Sequence, residues 1–249
     1  MNNVSLISFL CIAAIGSYLQ AFTGFALGIF VLGAVVVFKI VPLGTTATAI
    51  NIMTLVNTAL ALRGNLGNVD RKLFLHTLIG VLPGVPFGLW LLTALTNHDS
   101  RMLQIALGVL VLLTGAMLFF RPQPRSAASS SRSFVLAGGI GGILGGLFSV
   151  PGPPIIYHFY VQPLALDRIR LTLLGIFGTV SLVRLAILLS DGGIDSNSVW
   201  LGMLALPVVI ITTALFIRFP PRLSDTTIRR AAFLLLSAMG CSIVLMGWL

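Results

Sequence analysis

The sequence predicts an all-α polytopic membrane protein built from two inverted repeats. Three observations lead to this prediction. Hydrophobic residues make up 57% of the 249 residues and charged residues only 8%, about a third of the charge that a soluble domain carries. Apolar segments of transmembrane length follow one another along the whole chain, and one polar linker at residues 121–132 divides it nearly in half. The composition excludes a soluble enzyme and a disordered chain.

Taken in order, each half begins with an interrupted apolar segment and continues with three full spans. The interrupted segments are Ser5–Phe38 and Phe134–Val161. The part of the second that follows its interruption, Pro153–Val161, is about 14 Å long as a helix, too short to cross a hydrocarbon core of about 30 Å. We therefore expect a re-entrant hairpin at Phe134–Val161, whereas Ser5–Phe38 is either a hairpin or two tilted spans. The full spans are expected at Leu43–Leu62, Leu73–Leu95, Met102–Phe120, Arg168–Ser190, Ser198–Phe219 and Ile228–Trp248.

The few charges indicate how the spans are oriented. The net charge is +9, and all six acidic residues are aspartates. By the positive-inside rule, short loops rich in Lys and Arg lie in the cytoplasm. We therefore place the linker and the loops at 63–72, 168–170 and 218–230 inside, and the loop at 191–195, which has no basic residue, outside. This predicts a multi-pass protein of the cytoplasmic membrane, surrounded by the lipid bilayer and without a nucleic-acid partner.

The two halves also share a short sequence match. Five residues of the first interrupted segment recur 125 positions later in the second. They are Ser8, Phe9, Ile15, Gly16 and Leu19, matched by Ser133, Phe134, Ile140, Gly141 and Leu144. Because the loop charges give the halves opposite orientations, we predict a first repeat at residues 1–120, a cytoplasmic linker at 121–132 and a second repeat at 133–249. Secondary transporters are typically built in this way.

Two helix breaks at matching places in the repeats are the main candidates for a binding site. They are Gln20–Phe25 and Ser149–Pro154. Glycine and proline release backbone groups there, which is tolerated only where protein or a water-filled cavity satisfies them. The N–H groups of the helix that restarts after each break favour an anion, and no carboxylate lies well inside a span, as cation transport usually requires. The alternative is that these residues only allow close packing or kinks.

Polar side chains near the breaks complete the predicted anion site. Thr48, Asn51 and Thr172 are expected to face the cavity, although Ser and Thr in membrane helices often only bond neighbouring helices. Arg184 lies six residues from the end of its span and either snorkels to the interface or attracts the substrate. The full candidate set for substrate binding is Gln20, Thr23, Gly24, Phe25, Thr48, Asn51, Ser149, Gly152, Pro153, Pro154, Ile155, Thr172 and Arg184.

Enzymatic chemistry is not predicted. Cys11 and Cys241 lie near opposite ends of the chain, a zinc protease motif of the His-Glu-x-x-His type requires glutamate, and no P-loop pattern occurs. We therefore expect no catalytic residue, no metal and no cofactor.

Three glycine-rich motifs resemble those of a known family. They are Gln20-Ala-Phe-Thr-Gly-Phe-Ala-Leu-Gly28; the run from Gly138 to Gly146 that leads into Leu147-Phe-Ser-Val-Pro-Gly-Pro-Pro154; and Gly80-Val-Leu-Pro-Gly-Val-Pro-Phe-Gly-Leu-Trp-Leu-Leu92 followed by Arg101 and Leu107-Gly108. Over essentially its whole length the sequence resembles the TauE/SafE sulfite exporter family of membrane permeases. The resemblance implies movement of sulfite, organosulfonates or related sulfur oxyanions across a bacterial or archaeal cytoplasmic membrane.

Together these features predict a transporter of small sulfur-containing anions, with the substrate bound at the bilayer midplane between the two breaks. The alternative is a passive channel for small anions or neutral solutes, because paired half-helices also build pores. The sequence leaves open which anion is moved, in which direction, with which coupling ion, and whether the chain forms a homo-oligomer.

Overall fold

A computed structural model describes residues 3–96, 100–120, 124–219 and 225–248 of the protein, and these residues form helices joined by short turns. The α-helices are α1 (Asn3–Thr23), α2 (Ala26–Val37), α3 (Leu43–Leu62), α4 (Arg71–Thr96), α5 (Ser100–Phe120), α6 (Ser131–Phe148), α7 (Gly152–Tyr160), α8 (Leu166–Ser190), α9 (Ser196–Arg218) and α10 (Asp225–Trp248). A 3-10 turn at Leu66–Asn68 lies between α3 and α4. The all-α architecture predicted from the sequence is confirmed.

The helices carry the surface of a membrane protein. Within the described residues, six helices are long and apolar enough to cross a membrane: α1, α3, α4, α6, α8 and α9. Large apolar side chains cover their outer faces. On α4 five of them are at least half exposed: Leu75, Ile79, Leu82, Phe87 and Trp90. Exposure of so large an apolar surface to water is unfavourable, whereas its exposure to lipid is not. The chain is a multi-pass membrane protein.

Contacts between connecting segments define one end of the helix bundle. The backbone N–H of Asp70, just before α4, donates to Oγ1 of Thr172 in the second turn of α8 over 3.0 Å. The backbone N–H of Arg125 donates to the carbonyl oxygen of Val161, just after α7, over 2.8 Å. We call this the linker end. Its connecting segments and helix starts carry the basic residues Arg63, Arg71, Lys72, Arg125, Arg132, Arg168 and Arg170.

The opposite end, which we call the loop end, is less basic, and among the described residues it carries Lys39 before α3 and Arg101 in the first turn of α5. Here Oγ1 of Thr45 at the start of α3 lies 3.5 Å from Oδ2 of Asp195, the residue that caps α9. The turn between α8 and α9 holds Asp191 and Asp195 and no basic residue. Three of the predicted basic loops therefore lie together at the linker end, away from the acidic turn. The fourth, at 218–230, falls largely outside the residues whose side chains are described.

Helices α6 and α7 form a hairpin that opens toward the linker end. The backbone N–H of Ser129, just before α6, donates to Oε1 of Gln162, just after α7, over 2.9 Å. Nearby, Nε2 of His158 lies 2.9 Å from Oγ of Ser133. Helix α7 has 9 residues, half as many as α6, but these contacts place its end beside the start of α6. This is the hairpin that the short Pro153–Val161 segment predicts.

Helices α1 and α2 also pack as an antiparallel helical hairpin, which is compatible with both arrangements left open by the sequence, a re-entrant hairpin and two tilted spans. A Cβ at Gly16 of α1 would lie 2.9 Å from Cγ2 of Val31 and 3.4 Å from the carbonyl oxygen of Leu27, so α2 runs back along α1. Helix α2 ends near the start of α3, at the loop end. The two hairpins therefore open toward opposite ends of the bundle. This arrangement favours the inverted repeat, which stays a prediction.

The most extensive helix contact joins α4 to α6 and depends on glycine. Each helix presents three glycines at four-residue spacing: Gly80, Gly84 and Gly88 on α4, and Gly138, Gly142 and Gly146 on α6. A Cβ at Gly138 would overlap the carbonyl oxygen of Thr77, and one at Gly84 would lie 2.6 Å from that of Gly139. Small residues let membrane helices approach until their backbones touch. The second hairpin is therefore fixed to a helix of the first half.

Candidate functional site

The first break, between α1 and α2, is capped by its own threonine. Gly24 has a φ of +87°, which glycine adopts without the strain that a side chain brings. Oγ1 of Thr23 accepts hydrogen bonds from the backbone N–H groups of Phe25 (3.3 Å) and Ala26 (3.2 Å). The first N–H groups of α2 are therefore occupied by a side chain of the same break.

A buried chain of amide groups extends this capping into the bundle. Oε1 of Gln20 accepts from the backbone N–H of Leu27 over 3.1 Å, and its Nε2 donates to Oδ1 of Asn57 over 3.0 Å. Nδ2 of Asn57 in turn donates to Oγ1 of Thr213 in α9 over 2.7 Å. All three side chains are buried. An anion at the first break would have to compete with these bonds for its donors.

The second break, between α6 and α7, has fewer backbone donors than the sequence pattern suggested. Proline has no N–H, so Pro153 and Pro154 cannot donate to a substrate. Gly152, with a φ of +66°, faces Leu110 of α5, and Ile155 packs on Gly141 of α6. Within the range Gly152–Ile155, backbone groups alone therefore make a weak anion site.

Ser149 is the polar side chain of this second break. It adopts a left-handed conformation with a φ of 61°, and its N–H donates to the carbonyl oxygen of Gly145 over 2.9 Å. Its Oγ is buried and has no hydrogen-bond partner among the described residues. Buried hydroxyl groups are normally bonded, so Ser149 has a hydrogen-bonding capacity that the protein itself does not use.

Arg184 of α8 lies against the same break. Its side chain is 2% exposed, so the guanidinium does not snorkel to the interface. Nε donates to the carbonyl oxygen of Gly146 over 3.0 Å, one of the last carbonyls of α6, where a cation offsets the helix dipole. Nη1 is buried and has no partner within the described part of the chain.

A small cavity lies between the two breaks. It offers about 10 Å³ to the centre of a water molecule, which is room for one water at most. Thr54 and Phe177, which line it, lie near the middle of α3 and α8. The full lining is Gln20, Phe25, Gly28, Thr54, Ser149, Val150, Pro151, Phe177 and Ser181. The cavity between the breaks therefore lies at mid-depth in the bundle.

Sequence comparison shows to which family this arrangement belongs. A family model described as "Sulfite exporter TauE/SafE" matches residues 8–243. The chain belongs to this family. A curated protein of Cupriavidus necator (strain H16), named "Probable sulfite/organosulfonate exporter TauE", is 37% identical over 230 residues, which cover 92% of this chain and 90% of the relative. No solved structure matches the chain.

Membership of the TauE/SafE family confirms the resemblance noted in the glycine-rich motifs. The family is one of exporters, so the chain is a multi-pass membrane transporter and not an enzyme. The motifs that carry the resemblance coincide with the first break, the second break and the glycine contact between α4 and α6.

The structure brings some of the predicted site residues of this TauE/SafE chain together and separates others. Gln20, Phe25 and Ser149 line the cavity. Thr172 lies instead at the linker end, where its Oγ1 donates to the carbonyl oxygen of Arg168 over 2.7 Å. Thr48 is buried in α3 but is not part of the cavity lining.

Sequence reasoning missed other residues of the cavity in this family member. Thr54 lies three residues after Asn51, and Ser181 three residues before Arg184. Residues three apart share a helix face, so helical spacing was a signal for both. Gly28, Val150, Pro151 and Phe177 gave no such signal, because their place in the lining depends on how the two hairpins meet.

Proposed function

We propose that this TauE/SafE protein transports sulfite or organosulfonate anions across the cytoplasmic membrane and binds them at the second break, beside Arg184. The observation that carries the proposal is the buried guanidinium. A charge removed from water costs several kcal/mol unless it is paired. Among the described residues, no carboxylate is paired with Arg184. An anionic substrate would supply such a partner.

The groups near Arg184 match the three oxygens that sulfite and sulfonates share. Nη1 of Arg184 and Oγ of Ser149 are two buried donors without partners. Asn51 supplies a third, because its side chain is fully buried and neither of its amide atoms has a partner among the described residues. Charge-assisted hydrogen bonds from such donors are stronger than neutral ones.

The packing of α3 on α8 supports the inclusion of Asn51. Oγ1 of Thr58 donates to the carbonyl oxygen of Leu174 over 3.3 Å, and a Cβ at Gly178 would lie 2.8 Å from the methyl group of Thr58. The two helices run in opposite directions. Asn51, two turns from Thr58, therefore lies level with residues 181–185 of α8, the stretch that contains Arg184.

The size of the cavity favours a carrier over a pore. A space for one water cannot hold sulfite, so the hairpins must separate before the substrate binds. A passive channel would instead need a continuous open path for the anion through the protein.

Counterflow in proteoliposomes tests both the carrier mechanism and the proposed binding site. Vesicles loaded with unlabelled sulfite should accumulate labelled sulfite faster than empty vesicles, because the carrier exchanges one bound anion for another. Methanesulfonate inside the vesicles should also accelerate the uptake of labelled sulfite. Acetate inside the vesicles is the control anion and should not stimulate uptake. Equal uptake rates with and without internal sulfite would contradict a carrier. If internal sulfite no longer stimulates uptake in Arg184→Gln but still does so in Ser190→Ala on the same helix, the result supports the site.

We also propose that the linker end faces the cytoplasm, because most of the described basic residues lie there. After the exposed cysteines Cys11 and Cys241 are replaced by serine, a cysteine at Ser129 should react with an impermeant maleimide only from inside. A cysteine at Gly193 should react only from outside. Labelling of both from one side would contradict this orientation.

A further inference from the structure

We propose that Arg170 is a second anion-binding residue, located at the first break, and that the substrate passes between Arg170 and Arg184 along one face of α8. This inference rests on the proposed function and extends it to a second site on the path. Neither the family match nor the named relative assigns a role to Arg170, and the sequence pattern marks it only as one of the basic residues near the start of its span.

Arg170 is pressed against the first break. A Cβ at Gly24 would lie 3.0 Å from both Cγ and the carbonyl oxygen of Arg170, and 3.2 Å from its Cα. Nε of Arg170 is buried and has no hydrogen-bond partner among the described residues. The side chain as a whole is 31% exposed. Arg170 therefore touches the break on one side and solvent at the linker end on the other.

The partner of Arg170 can be displaced. Nη2 of Arg170 lies 3.6 Å from Oδ1 of Asp167, whose side chain is 81% exposed. Exposed ion pairs of this kind contribute little. A guanidinium binds two oxygens of a sulfonate side by side, which a loosely held carboxylate at this distance does not match. A substrate arriving at the linker end can thus replace Asp167.

The two arginines share one face of α8 with the cavity between them. At 100° per residue, Arg170, Phe177, Ser181 and Arg184 fall within about 60° of one another around the helix axis. Phe177 and Ser181 line the cavity. Arg170 and Arg184 are separated by about 21 Å along the axis, and each contacts a different break. One helix therefore carries a cation at either side of the site.

Arg168 provides a matched control. It is exposed, carries the same charge and lies two residues away on α8, which turns it by about 160° from Arg170 around the axis. No described side-chain contact links it to either break. A general attraction by positive charge at the linker end would depend equally on Arg168 and Arg170, whereas a binding role would not.

The test is sulfite uptake by proteoliposomes of known orientation, with sulfite supplied at either end. We expect Arg170→Gln to raise the apparent KM at the linker end by roughly ten-fold, the effect of losing a charged hydrogen-bonding partner, and to leave the KM at the loop end unchanged. Arg168→Gln should change neither. Asp167→Asn should not raise the KM at the linker end, because the exposed pair that it removes contributes little and Arg170 stays in place.

The outcomes separate this inference from the proposed function. If the wild-type chain takes up sulfite but Arg170→Gln behaves as Arg168→Gln does, the role of Arg170 is overturned and the proposed function stands. The role is equally overturned if Asp167→Asn raises the KM as Arg170→Gln does, because the ion pair and not a bound anion would then account for the effect. If the wild-type chain takes up neither sulfite nor methanesulfonate, the proposed function itself fails.

Discussion

The two helix breaks satisfy their polar groups in different ways. At the first break, the N–H groups of Phe25, Ala26 and Leu27 all donate to side chains of Thr23 or Gln20. At the second, prolines have removed backbone donors, while Ser149 Oγ and Arg184 Nη1 are buried without described partners. The same sequence signal, glycine or proline inside an apolar run, thus marks one break that is closed on itself and another with spare donors. The proposed binding at the second break depends on these unused donors and not on the break itself.

The hairpins that contain these breaks are also anchored differently. The second packs α6 on α4 through glycines whose backbones touch. The first packs α1 on α9 through aromatic rings, with the centroids of Tyr18 and Phe22 at 5.5 and 6.4 Å from that of Phe216. Backbone contacts have no slack, whereas aromatic side chains change rotamer. We therefore expect the first hairpin to move when the cavity opens, and the second to stay with α4.

The largest effect is expected from the glycine contact that anchors the second hairpin. In Gly138→Ala the new Cβ overlaps the carbonyl oxygen of Thr77, and a backbone atom cannot move aside. We expect the free energy of unfolding to fall by about 3 kcal/mol, the upper range for overpacking, as measured by denaturant titration in detergent. Gly139→Ala is the control, since a Cβ there is 4.0 Å from its nearest neighbour. Equal stability of the two variants would show that the hairpin is not fixed by this contact.

The next effect concerns the cation at the second break. Arg184→Gln should weaken sulfite binding roughly 30-fold, because a charged donor is lost from a buried site. Since Arg184 is 2% exposed, salt does not screen it, and the loss should be the same in low and high salt. Titration calorimetry at two salt concentrations measures this. A loss that disappears in high salt would indicate long-range attraction and not direct contact.

A pair of variants sharpens the contrast between the breaks. Gln20→Leu leaves the backbone N–H of Leu27 and the side-chain oxygen Oδ1 of Asn57 without partners, so we expect a loss of about 2 kcal/mol in the free energy of unfolding. Ser149→Ala removes a hydroxyl group that has no described partner, so its stability should stay within about 0.5 kcal/mol of wild type while sulfite affinity falls. The reverse pattern would mean that the roles of the two breaks are exchanged.

The smallest effect is expected at the cap of the first break. Thr23→Val keeps the shape of the side chain but removes the acceptor for Phe25 and Ala26, so we expect a loss of about 1 kcal/mol, as for other helix caps. Thr23→Ser retains the hydroxyl group and should retain most of the stability. Thermal unfolding of the three proteins in one detergent measures the difference. A serine variant as unstable as the valine variant would assign the effect to packing.

The sequence by itself determined the membrane class, the positions of most helices and the positions of the breaks. Helices α3, α8 and α9 begin and end within two residues of the predicted segments. This agreement has a local cause, because the thickness of the hydrocarbon core sets how many consecutive residues must be apolar. Glycine and proline mark both breaks, although Pro83 and Pro86 lie inside α4 and Pro207 lies inside α9 without ending the helix. The nine residues of α7 are likewise too few to cross the hydrocarbon core, whatever surrounds them.

Only the tertiary structure decided what each polar side chain does. Gln20 bonds Asn57, Arg184 bonds the carbonyl oxygen of Gly146, and Thr172 bonds Asp70, and these partners lie 37, 38 and 102 residues apart in the chain. The type and spacing of a residue predict on which face of a helix its side chain lies, but not which atom of another helix it contacts. Hydrogen bonds are short and directional, so the packing of the hairpins against α3, α8 and α9 decides which donors are used and which stay available to a substrate.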